Sequence, residues 1–260
     1  MSKSCVTTLQ TSVRKSAPKK PIVKEIEASV EEQVQGALRW LKRHSSKRTR
    51  DGMARYAIPS DNALGVSVAD IRTLAKRLGR NHELALALWK SGIYEARMLT
   101  SFVAEPARVT AEQMDRWCRD FDSWAICDTL CFHLFDRTPH AFAKISQWSD
   151  KRTEFEKRAA FALLASLALH DKKAGDEPFL KTLPLIERAA TDERNFVKKG
   201  VSWALRGVGR RNAALNAAAV ILARRLLKSS QIATRWVGRD ALKELASPKM
   251  MQLFAKRSAK

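Results

Sequence analysis

The stretch from Phe121 to Cys131, Phe-Asp-Ser-Trp-Ala-Ile-Cys-Asp-Thr-Leu-Cys, sets an indole and a carboxylate four residues apart. Read as a helix with Ser123 at its N-cap, it projects Trp124 and Asp128 from one face and turns Ile126, Leu130 and Leu134 toward a core. A tryptophan and a carboxylate then share one surface. The same spacing also describes a half-buried packing tryptophan next to a solvated acid. Trp236 and Asp240 repeat the spacing, with Arg239 and Lys243 beside the acid as ready ion-pair partners. Asp128 has no basic residue within one turn on its own helix. On that difference it is the acid expected to face a ligand.

The cations around such a site fall into three groups. Arg158 opens a run that is otherwise almost wholly apolar, through Ala159, Phe161, Leu163, Leu164 and Leu167. A charge at the edge of a core needs an acid or a phosphate, unless the chain snorkels to the surface. Lys199, Trp203, Arg206 and Arg210 recur every three to four residues and form one stripe, with Phe196, Val197, Gly200, Val201, Ala204, Leu205 and Val208 on the packing side. Cations bracketing an aromatic give charge for phosphate and a plate for a base or sugar, and a solvated basic face has the same pattern. Arg235, Arg239 and Lys243, at i, i+4 and i+8, form a further face that either contacts a nucleic-acid backbone or is simply solvated.

The elements that must position these residues all read as helix. Period-3.6 patterns dominate from Val23 onward, no alternating strand survives, and the last candidate helix is Gln231 to Leu245. Among the others are Lys47 to Tyr56, Ser123 to Asp136, Glu154 to His170, Glu177 to Ala190 and Asp192 to Val208. Ser67, Thr110, Ser123 and Asp192 read as N-caps; Gly79, Gly92 and Gly209 read as C-terminal breaks. Helices of three to four turns, recurring in pairs with short connections, predict an all-α, HEAT-like helical-repeat solenoid. Its concave face would suit a long ligand such as a duplex.

Composition narrows the partner. The 260 residues carry 48 Lys plus Arg against 27 Asp plus Glu, a formal charge of +21, and so favour a polyanion. Residues 1–24 hold six basic residues, no acid and two prolines, and are expected to form a disordered basic arm ahead of a solenoid over 25–260. Cys5, Cys118, Cys127 and Cys131 show no CxxC pair, which points to reduced thiols and an intracellular, cytoplasmic, nucleoid-associated protein with neither metal nor cofactor. No apolar run reaches membrane-spanning length, and the N-terminus lacks a signal-peptide core. A monomer is expected.

Trp124-Ala-Ile-Cys-Asp128, then Lys157-Arg158-Ala159-Ala160, then Phe196-Val-Lys-Lys199 followed by Trp203-Ala-Leu-Arg206, resemble in order and spacing the AlkD-type alkylpurine DNA glycosylases. The resemblance covers roughly Glu31 to Leu253. It implies a HEAT-like fold and base-excision repair of double-stranded DNA, releasing N3-methyladenine and N7-methylguanine without flipping the base. It further implies Asp128 as the catalytic acid, Trp124 and Trp203 as aromatic walls and Arg158 as a positioning residue. Lys199, Arg206, Arg210, Arg235, Arg239 and Lys243 are the expected DNA contacts. Two departures stand out: Ala125 occupies a position where many relatives carry an acid, and Cys127 sits inside the motif. The other reading is a catalytically silent HEAT-like protein that binds unusual DNA structures.

Overall fold

The computed structural model describes residues 29–258; the predicted basic arm lies outside them. In chain order the helices are α1 Val30–Arg43, α2 Lys47–Gly52, α3 Val68–Leu78, α4 His82–Lys90, α5 Tyr94–Val103, α6 Ala111–Arg119, α7 Trp124–His133 and α8 Ala141–Ser149. There follow α9 Glu154–His170, α10 Glu177–Leu180, α11 Leu183–Ala189, α12 Asn195–Gly209, α13 Ala213–Leu227, α14 Ile232–Leu245 and α15 Pro248–Ser258. No strand occurs among the described residues. None of their helices is long and apolar enough to cross a membrane.

The helices stack in two rows. One row, here termed inner, runs α3, α5, α7, α9, α12, α14, each packed on the next, while α1 with α4, and α8, α11 and α13, back it from the other side through rungs such as α4 on α5, α8 on α9 and α13 on α14. This is the helical-repeat solenoid the periodicity predicted. Nearly every side chain of α9 from Arg158 to Ala168 is buried, because α7, α8 and α12 surround it. Burying one large apolar side chain such as Phe161 or Leu164 there contributes about 1.5–3 kcal/mol. The seams are narrow because small residues line them. A Cβ on Gly207 of α12 would stand 3.3 Å from the Ala165 Cα of α9, and one on Gly238 of α14 would stand 2.6 Å from the Ala223 carbonyl oxygen.

Several boundaries differ from the sequence reading, each for a local reason. Lys47 to Tyr56 is α2 followed by a 3-10 turn, Met53–Tyr56, closed by Ala57 in the left-handed region at φ 52°. The helix expected over Ser123 to Asp136 stops at His133, and Phe135–Arg137 forms a 3-10 turn. Glu177 to Ala190 is two helices, since Pro184 has no N–H to continue the ladder. Asp192 does not cap α12; Arg194 takes that position, and Asp192 stands just ahead of it. Ser67 and Thr110 cap as expected, whereas Ser123 occupies the cap position of α7 without bonding to it. The helix α15 was not anticipated.

Candidate active site

Every candidate residue falls on the inner row: Trp124 and Asp128 on α7, Arg158 on α9, the 199–210 stripe on or just past α12, and the 235–243 stripe on α14. The central contact is an ion pair. Arg158 Nε donates to Asp128 Oδ1 at 2.9 Å and Nη2 to Oδ2 at 2.7 Å, a two-pronged match of guanidinium to carboxylate. A third donor, Nη1, reaches the Phe196 carbonyl at 2.7 Å, so one side chain links α7, α9 and α12. The expectation that Arg158 meets an acid is met. The expectation that Asp128 is unpaired is not, because its partner comes from the neighbouring helix, where spacing along α7 cannot show it.

The electrostatics follow from that burial. The side chains of Asp128 and Arg158 are 16% and 8% exposed. Burial pushes the Asp128 carboxyl above its usual range, and Arg158 pulls the other way. Burial disfavours the Arg158 cation, but Asp128 more than compensates, and its pKa is raised. A carboxylate accepting on both oxygens is in its ionised form, and the lone pairs that Arg158 leaves free can still accept from a water.

A cleft of about 420 Å³ opens beside the pair. Tyr56, Trp124 and Phe196 supply its aromatic surface, and Arg55, Arg158 and Lys199 its cations. Asp128 lies one helical turn from Trp124 and meets the cleft through Arg158. The Trp124 indole donates to the Tyr56 carbonyl at 2.8 Å, tying the 3-10 turn to α7. The Arg158 guanidinium carbon lies 6.0 Å from the centre of the Phe196 ring. Behind the cleft, Cys127 and Cys131 are buried against α9, their thiols directed to the carbonyls of Phe155 and Ala159 at 3.8 and 3.6 Å. Cys127 is thus part of the seam.

Phe196 is set by the start of α12. Its N–H donates to Glu154 of α9 at 3.2 Å, a cap supplied by the neighbouring helix. Just ahead, Asp192 accepts from the Arg194 backbone N–H at 3.1 Å, from the Arg194 guanidinium at 2.9 and 2.6 Å, and from Lys157 at 3.3 Å. With the Arg194 hydrogen bonds as the largest cause, its carboxyl is held down to about 2.

Four expectations need correction. Trp203 does not line this cleft: it stacks on Phe132, ring centres 4.9 Å apart and planes 7° from parallel, in a separate cavity. The aromatic wall opposite Trp124 is Phe196, which the sequence reading had assigned to packing. The cationic stripes are also not uniform. Arg206 pairs with Asp240 and Glu244, Arg210 with Glu244, and Arg235 donates to the carbonyls of Ser229 and Ser230. Lys199, Arg239 and Lys243 are exposed. Asp240 therefore finds its partners, Arg206 and Ser202, across the seam on α12 and not in Arg239 or Lys243 beside it. Tyr56 and Arg55 were missed: they lie far upstream and no local spacing links them to Trp124.

An all-helical repeat array with a buried carboxylate–guanidinium pair beside an aromatic, cation-rimmed cleft places the chain among the helical-repeat solenoids. The chain belongs to the family of DNA alkylation repair enzymes, whose model matches residues 37–245. A solved structure described as "a new family of proteins related to the HEAT-like repeat DNA glycosylases with affinity for branched DNA structures" superposes at a TM-score of 0.68, with 16% identity over 81% of this chain and 94% of that one. At that identity the likeness shows the fold alone. Two designed armadillo repeat proteins, one in complex with the peptide (KR)4, are each 14% identical, at TM-scores of 0.36 and 0.32, covering 74% and 68% of this chain and 81% and 92% of theirs. They carry no argument. No curated protein matches at a significant level.

Proposed function

We propose that the protein hydrolyses the N-glycosidic bond of cationic alkylated purines, N3-methyladenine and N7-methylguanine, in double-stranded DNA, without drawing the base into a pocket. The observation that carries this is the buried Asp128–Arg158 pair, whose Arg158 lines a cleft that Tyr56, Trp124 and Phe196 also wall.

Alkylation at a ring nitrogen makes the purine a positively charged leaving group, so departure needs no general acid. What remains is an oxocarbenium-like sugar and a water to capture it. The Asp128 carboxylate offers negative charge to the first and an acceptor to the second, fixed in orientation by Arg158. The aromatic faces attract the cationic lesion by about 0.5–2 kcal/mol each. Arg55 and Lys199 at the rim meet the flanking phosphates. No lysine lies within the motif between Trp124 and Asp128, so no Schiff-base lyase step follows base release.

The test is release of free 7-methylguanine from methylated duplex. Asp128→Asn should lose most of it while DNA binding persists. Because that change strands a buried cation, at a cost of about 3 to 5 kcal/mol, the double variant Asp128→Asn/Arg158→Gln is the companion: folded but still inactive. Full release by a folded variant lacking the carboxylate would overturn the assignment. A second reading, a silent binder of unusual DNA shapes, gains support from the counter-ion on Asp128 and from the described affinity of the relative for branched DNA. Its signature is tight DNA binding by the unaltered chain with no free base.

A further inference from the structure

The cavity that holds Trp203 is larger than the cleft, about 760 Å³, and the proposed reaction makes no use of it. That volume falls within the range of about 300–1,000 Å³ typical of small-molecule sites. Phe132 and Trp203 give it a stacked aromatic pair, and Gly207, with Ala165 and Ala168, a floor of small residues. The opposite wall is α15. Lys249, Leu253 and Lys256, at i, i+4 and i+7, line the cavity from one helical face, while Met250 and Phe254 are buried. Lys172, just past the end of α9, adds a third lysine at the rim; all three are exposed, and none has an ionic partner among the described residues. The one acid at the rim, Glu244, is already held by Arg206 and Arg210.

A flat apolar plate ringed by cations matches a flat apolar ring flanked by phosphates. The cavity draws its walls from α7, α9 and α12, the same inner-row helices that carry the cleft. We infer that this cavity takes an unstacked nucleotide of bound DNA, its base against the Phe132–Trp203 pair and its neighbouring phosphates on Lys172, Lys249 and Lys256. The inference rests on the reading of the chain as a DNA-binding protein, and adds to it a preference for DNA in which a nucleotide is already out of the stack.

The experiment compares the full chain on two duplexes, one continuous and one with a single extra 2-aminopurine deoxynucleotide bulged out. The bulged duplex should bind tighter by about five- to a hundredfold, the gain expected from one base stacked on an aromatic ring, and its fluorescence should be quenched. Lys172→Ala/Lys256→Ala, two surface changes that leave the core intact, should bring the affinity ratio close to one. The charge-matched Lys76→Ala/Lys90→Ala should retain the ratio, and Trp203→Ala should abolish the quenching. Equal affinity for the two duplexes overturns the inference and leaves the DNA-binding reading standing. So does a preference that survives in the Lys172/Lys256 variant but disappears in Trp124→Ala, since that places the nucleotide in the other cleft. Binding to neither duplex overturns both readings.

Discussion

Phe196 and Trp203 lie seven residues apart on one helix and line different cavities. Phe196 shares the cleft with Trp124 and Tyr56, beneath the Arg158 guanidinium, whereas Trp203 is spent on Phe132. Phe196→Ala should therefore lower 7-methylguanine excision by about tenfold, the loss of one aromatic face toward a cation, while Trp203→Ala changes it little. Comparable losses in single-turnover assays of the two variants would contradict this division. Trp124, Asp128 and Arg158 were legible in the sequence because each breaks a local pattern: an indole and an acid on one face, a cation in an apolar run. Phe196 breaks none, being one more apolar residue in the first turn of an amphipathic helix. The Asp128 counter-ion was invisible for a related reason, since thirty residues separate two side chains that only the packing of α7 on α9 brings together.

At the scale of elements, the start of α12 depends on a carboxylate that the sequence reading took for an N-cap. Asp192 accepts from Arg194 and Lys157 and so anchors the turn before α12 to α9. Its pKa is about 2 in the folded chain against an ordinary 3.8, so it stabilises the fold above pH 3.8, and that contribution is lost as pH falls toward 2. Asp192→Asn should therefore be less stable than the unaltered chain at neutral pH, with the gap closing between about pH 4 and pH 2. Urea midpoints measured for both proteins across that range check it; a gap that stays constant with pH would exclude the mechanism. Helix existence was readable nearly throughout, because amphipathic periodicity is local. The splits at Pro184 and after Gly52, and the whole of α15, were harder: they turn on single residues, or on a helix whose buried residues, Met250 and Phe254, are few.

Over the whole molecule, a formal charge of +21 overstates what an inner-row ligand would meet on α12 and α14. Arg206 and Arg210 face Asp240 and Glu244, leaving Lys199, Arg239 and Lys243 exposed along those helices. Each phosphate contact contributes about 0.9 to the slope of log affinity against log salt, so Lys199→Ala should reduce that slope by about one. Arg206→Ala should leave it unchanged and instead lower the melting temperature, because Asp240 and Glu244 lose a shared counter-ion. Titrations at several salt concentrations distinguish the two.

The three-way grip of Arg158 has a mechanical corollary. One guanidinium holds a carboxylate on α7 and a carbonyl on α12 while rooted in α9, so these three rods travel as a unit. If the array bends, the flexing falls to the joints on either side, and the spacing of the Asp128 carboxylate from Trp124 on α7 and Phe196 on α12 stays the same.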